Sequence, residues 1–225
     1  APTGAWDVYT SVTNRITLTE GSTTFTILAV SDSWNIDWLE INWGGTSEGS
    51  EYNNPVISHP YTADPSIHQW SDGKFYIYGS HDKDDAGVWD MEDYHVYSSD
   101  NMVDWTDHGV VLHNSQTPWS GPFWAPDAAE KDGTYYLYFP EGDNICGATS
   151  SVPTGPFLDP QILYAKPEYA GQAYDPACFV DDGGTAYLII SESTNNVFYP
   201  LVFTLEENMI DIAATNNLGA LNGFH

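Results

Sequence analysis

The sequence predicts an all-β protein, and three observations carry that prediction. Helical periodicity is nearly absent. Short runs rich in Tyr, Phe, Val, Ile and Thr alternate with Gly, Pro, Asp and Asn clusters. A repeat of roughly blade length runs through the second part of the chain. In order, the strand-like runs are RITLT (15–19), TTFTILAV (23–30), KFYIYGS (74–80), YHVYSS (94–99), TYYLYF (134–139) and TAYLII (185–190). A Gly/Ser-rich polar stretch over 45–54 reads as a linker between a first segment, 1–44, and a second, 55–225.

Composition narrows the classes of partner. The 225 residues hold 5 Lys+Arg against 32 Asp+Glu, a net charge of −27, which excludes a nucleic-acid binder that neutralises phosphates and argues against an anionic membrane surface. Aromatic residues make up 15% of the chain, too many for a disordered acidic tail, so the chain is expected to fold. No apolar stretch is long enough, at about 18 residues, to span a membrane as a helix. The first residues, Ala1-Pro2-Thr3, carry no basic and apolar leader pattern, so a processed or partial chain is expected. Cys146 and Cys178 sit in apolar, strand-like runs and are expected as small buried hydrophobes rather than a disulfide. So many acids with so few Lys also fit a surface adapted to high salt, where ionic strength screens self-repulsion.

The repeat comprises DPSIHQWSDGKFYIYGS from Asp64, APDAAEKDGTYYLYF from Ala125 and DPACFVDDGGTAYLII from Asp175. Each unit has an Asp beside a Pro, a turn with Gly (Gly73, Gly133, Gly184) and an aromatic-rich strand. The turn glycines are 60 and 51 residues apart, which suits one four-stranded propeller blade per unit. First strands of blades line the axis, so Asp64, Asp127 and Asp175 are expected to converge there, repel one another and raise at least one pKa. Turn chemistry is the competing reading for these aspartates. It fits Asp72, Asp132, Asp181 and Asp182 well, since they directly precede the glycines, and fits Asp64 and Asp127 less well.

With NPVI (54–57), TADPSI (62–67), YIYGSHD (76–82), DYHVYSSDNMVDWTDHG (93–109), FWAPDAAEKDGTYYLYF (123–139), ATSSVPTGPF (148–157) and YDPACFVDDGGTAYL (174–188) in this order, residues 55–225 resemble glycoside hydrolase family 43. The resemblance implies a five-bladed propeller enzyme that removes xylose or arabinose from plant cell-wall glycans with inversion, requires no cofactor and works outside the cell. It implies Asp64 as the general base and Asp127, in WAPD, as the aspartate that tunes the general acid. Asp175 and His81, in YGSHD, are expected to face substrate. Trp124 and Trp70 read either as walls for a sugar ring or as ordinary blade packing. The family's glutamate acid belongs to an EGP-like string, and none occurs before the last residues, NGFH (222–225). The expectation is therefore a partial propeller, completed by the remainder of a longer chain, with a non-catalytic glycan-binding protein as the alternative. His59, His68, His81, His95, His108 and His113 show no metal-ligand spacing, so hydrogen-bonded or surface roles are expected for most.

Residues 1–44 resemble the C-terminal half of a family 6 carbohydrate-binding module, part of a β-sandwich. The resemblance implies Trp6 as a sugar platform and Asn35 as a hydroxyl-binding side chain, while sandwich core is the other reading for Trp6 and for Trp38. Asp37 is a candidate for holding a structural calcium, though one oxygen is far from the 6–8 such an ion takes.

Overall fold

The computed structural model describes residues 55–84, 90–119, 121–167, 171–194 and 197–217, all within a compact unit spanning Ser50–His225. The segment 1–44, the linker, and with them Trp6, Asn35, Asp37 and Trp38, lie outside the described residues.

The described residues are all-β apart from one 3-10 turn at Asn114–Gln116. Twelve strands form three antiparallel four-stranded sheets, each a simple meander. The first holds β1 (Thr62–Gln69), β2 (Phe75–Asp82), β3 (Met91–Ser99) and β4 (Thr106–His113). The second holds β5 (Asp127–Lys131), β6 (Thr134–Glu141), β7 (Asn144–Ser150) and β8 (Leu158–Tyr164). The third holds β9 (Gln172–Val180), β10 (Ala186–Thr194), β11 (Val197–Leu205) and β12 (Ile212–Asn217). The first strands β1, β5 and β9 contact one another in that order, so the sheets stack as successive blades around their inner strands. Among the described residues the blades form an arc of three that does not close.

The composition explains the stacking. A strand shows alternate residues to opposite faces, and each blade must bury both faces between neighbours. Large rings fill these gaps. Between the first two blades lie Tyr76, Tyr78, Tyr94, Phe123, Phe139 and Phe157, and between the second and third lie Tyr136, Tyr138, Leu188, Phe203 and Met209. Tyrosine does more than fill space, because its hydroxyl must find a partner once buried. Tyr78, fully buried, donates to Pro153 O at 2.9 Å; Tyr94 donates to Trp124 O at 2.6 Å; Tyr138 donates to Met209 O at 2.9 Å. Each bond runs from one blade to the next, so the tyrosines act as staples as well as core.

Turn chemistry behaves as the residue types dictate. Asp132 and Gly133 both have positive φ, 53° and 77°, in the two-residue connection of β5 to β6. Asp181 Oδ1 accepts from the N–H groups of Gly183 and Thr185 at 2.9 Å, and Asp72 Oδ1 accepts from Lys74 N–H at 3.0 Å. Both cysteines are free, as expected, and burial pushes both thiols up to about 12, leaving them unreactive near neutral pH. No helix among the described residues is long and apolar enough to cross a membrane.

Candidate active site

The site grows from a local irregularity that occurs twice. In β1 the register slips between Ala63 and Ser66, and in β9 the equivalent slip lies between Tyr174 and Ala177. Each slip admits one extra residue, and each coincides with an Asp-Pro pair, Asp64-Pro65 and Asp175-Pro176. Proline cannot donate to the ladder, and both aspartates have left-handed φ, 45° and 53°. The result is a bulge that turns the aspartate out of the regular alternation, the usual means by which a strand re-aims a side chain. Both bulges lie near the starts of inner strands, at the same end of the arc.

Protein atoms crowd both carboxyls, although both residues remain exposed overall. Burial pushes Asp64 above the ordinary carboxylate range. Burial, and then the charge of Asp64, push Asp175 up as well. A third carboxyl shares this field: Asp82, at the end of β2, is raised by burial and by Asp64. Three crowded acids disfavour simultaneous ionisation, the arrangement a proton-accepting carboxylate needs.

Trp124 lies on the approach to β5, at the same end as the two bulges. Its segment is pinned from three sides: Phe123 N–H donates to Met91 O at 2.8 Å, the Tyr94 hydroxyl holds Trp124 O, and Glu141 accepts from Gly121 N–H. The Trp124 indole N–H is buried without a partner among the described residues, while the residue as a whole is only half-buried. The polar edge of the indole thus points inward.

The structure places three of the expected site residues as follows. Asp127 is buried among the inner strands. Its Oδ1 lies 2.7 Å from His68 Nε2, and its Oδ2 accepts from Cys178 N–H at 2.6 Å. His68 is four residues beyond Asp64 and Cys178 three beyond Asp175, so this carboxylate sits about 10 Å deeper along the strands. Those two contacts tie the three inner strands together. Trp70 is six residues beyond Asp64, about 20 Å along the strand. There it stacks on His68 with ring centroids 4.7 Å apart, donates to the Tyr78 hydroxyl at 2.9 Å and meets the edge of Tyr135. Trp70 is packing, and Trp70→Ala is expected to cost about 3 kcal/mol of stability; denaturant melts check this, alongside an unchanged KM for small glycosides. His81 points away from the axis, its Nδ1 lying 3.1 Å from Asp93 Oδ1. From YGSHD it is Asp82 that feels the charge of Asp64.

The expectation that the histidines lack metal-ligand spacing is corrected. His81, Asp93 and His95 offer ligand atoms within 4.8 Å of one another. Two imidazoles and one carboxylate do not suit calcium, which takes 6–8 oxygens, so this group does not provide the structural calcium expected from sequence.

The model of glycosyl hydrolases family 43 matches residues 52–216. The xylosidase/arabinosidase 43A of Humicola insolens is 48% identical over 151 residues, covering 60% of this chain and 44% of that protein. The arabinoxylan arabinofuranohydrolase of Bacillus subtilis is 33% identical over 178 residues, covering 66% of this chain and 34% of that protein. Among solved structures, a β-xylosidase/α-arabinofuranosidase from a compost microbial metagenome, in complex with xylotriose and in calcium-free form, is similar with a TM-score of 0.62 and 34% identity, over 73% of this chain and 61% of that one. A Xanthomonas citri enzyme complexed with xylotriose has the same TM-score, 0.62, and the same identity, 34%, over 75% of this chain and 60% of that one. The chain spans less than half the length of the two curated relatives, 44% and 34%.

Proposed function

This chain belongs to glycosyl hydrolases family 43, and from that premise we propose that the complete protein is an inverting glycoside hydrolase releasing xylose or arabinose from xylan or arabinoxylan. The observation that carries the reading is the pair of Asp-Pro bulges, which aim two crowded carboxyls into one field at the same end of the inner strands. Asp64 is the general base: ionised, it takes a proton from the water that attacks the anomeric carbon from the face opposite the leaving group. Asp175 and Asp82 share its field, and burial followed by the charge of Asp64 raises both, while Asp127, in WAPD, is the aspartate that tunes the general acid. Trp124 offers an apolar ring against which the C–H face of a pentose packs.

The general acid is proposed to come from a part of the longer protein outside this chain, together with the blades that complete a five-bladed propeller. Proton transfer between carboxyls needs no cofactor. We further propose that the protein is secreted, since its substrate is a cell-wall polymer, and that residues 1–44 belong to a carbohydrate-binding module that keeps it on that polymer.

The test is hydrolysis of nitrophenyl β-xyloside and nitrophenyl α-arabinofuranoside by the complete protein, with the anomer of the first product read by NMR. Inverted pentose is the expected product, and Trp124→Ala is expected to raise KM about tenfold, as the loss of one aromatic contact would. A retained configuration would overturn the mechanism. A glycan-binding protein without activity is the alternative outcome of the same test. Binding of xylan fragments with no pentose release by the complete protein would select it.

A further inference from the structure

The first blade carries a second cluster on the face opposite its neighbour. Tyr94 points at the second blade, its ring 5.6 Å from Phe139. Asp93 and His95 flank Tyr94 in β3 and therefore face the other way. His81, from β2, and Asp107, from β4, reach the same face. We propose that His81, Asp93 and His95 form a binding site for a zinc-class divalent transition-metal ion, a site independent of the glycosidase reading.

Four features carry the proposal. The donor set is two imidazoles and a carboxylate, which selects zinc-like ions over calcium or magnesium. The three ligand atoms lie within 4.8 Å of one another, and two of the spacings match zinc: Asp93 Oδ1 lies 3.1 Å from His81 Nδ1 and 3.5 Å from His95 Nε2. Four-coordinate zinc, with bonds of about 2.0–2.1 Å, separates its ligand atoms by about 3.3 Å, between those two values. An outer carboxylate is already in position, since His95 Nδ1 lies 3.3 Å from Asp107 Oδ1, which is itself held by Gly109 N–H at 2.7 Å. A ring that donates from Nδ1 to Asp107 turns its Nε2 lone pair towards the Asp93 carboxylate. Two electron-rich atoms then face each other, and a cation between them removes the repulsion; the same outer carboxylate orients histidine in many metal sites. Finally, Asp93 and His95 are each only 8% exposed, so two ligands are held by a sheet before any ion arrives. His81 is the less buried of the three, and a water or a group from outside the described residues completes the coordination.

The experiment uses the complete protein without a polyhistidine tag, stripped with chelator, then titrated with Zn²⁺ by calorimetry and with Co²⁺ by visible absorption. One equivalent of Zn²⁺ is expected, with the intense d–d bands of four-coordinate Co²⁺. Asp93→Asn and His95→Gln are expected to weaken binding at least 100-fold. Asp107→Asn, which touches no ion, is expected to weaken it about 10- to 100-fold and serves if the buried variants fail to fold. His108→Gln, outside the cluster, is expected to bind like the parent. Absence of stoichiometric binding, or equal affinity in the parent and Asp107→Asn, overturns the proposal and leaves a hydrogen-bonded His–Asp–His relay.

Discussion

Replacing Asp64 by Asn in the complete protein is expected to lower kcat for aryl pentosides by about 10²–10⁴-fold, the usual worth of a general base, without lowering the melting temperature. The two halves of that expectation have one cause. Burial raises the folded-state pKa of Asp64 above its ordinary value of 3.8. A raised carboxyl pKa means that the folded chain disfavours the ionised form. Whatever stability the side chain contributes is therefore present below pH 3.8 and lost as pH rises through the folded value. At neutral pH the charge is a cost of folding, and the neutral amide removes it. Because the residue is exposed overall, solvent screening keeps the gain small. In the parent, activity is expected to fall on the acidic side at a pH above 3.8, where the base takes up its proton. Burial alone raises Asp64, whereas the charge of Asp64 adds to the rise of Asp175, so Asp175→Asn is expected to leave that acidic limb in place. Profiles of kcat/KM against pH for the parent and Asp175→Asn check this, and a limb displaced to lower pH in the variant would show that Asp175 is charged when Asp64 titrates. A fully active Asp64→Asn would remove the base.

Much of this arrangement is written in local residue choice. Near-continuous runs of aromatic and aliphatic residues in FYIYGS and TYYLYF dictate strands buried on both faces, and aspartate before glycine dictates the hairpin turns. The spacing of three turn glycines fixes three blades. Two features escaped the same reading. In the first and third units Asp precedes Pro and stands nine residues before the turn glycine, whereas in the second Asp follows Pro and stands six before it. Treating all three as one motif merges a bulge with a regular strand position, since Asp64 and Asp175 take the left-handed φ that re-aims a carboxyl and Asp127 does not. Counting back to the glycine would have separated Asp127 from the pair. The His81–Asp93–His95 cluster was beyond reach in sequence, because it joins different strands across a register slip between Ser80 and Asp82 that no spacing announces.

Asp127→Ala is expected to act on stability as well as on the chemical step. The side chain is 9% exposed, and its two oxygens take His68, on the first blade, and Cys178 N–H, on the third. Truncation leaves the Cys178 N–H without an acceptor and the His68 ring without its partner, and leaving a buried polar group unpaired costs about 1–3 kcal/mol. For a domain of this size, each kcal/mol is worth about 2–4 °C of melting temperature, so a fall of roughly 2 °C or more is expected in the complete protein. His68 also carries the stacked Trp70 ring, so the loss spreads outward along the first blade. Asp127→Asn keeps an oxygen for Cys178 N–H and an amide for His68, and is expected to recover about half the loss of stability. A carboxylate that tunes the general acid through its charge does not recover in the same way: Asn, having lost the charge, is expected to be as inactive as Ala. Melting curves and kcat for the two variants therefore separate the strut of the axis from the tuning charge. Full kcat in Asp127→Asn would leave Asp127 a strut alone.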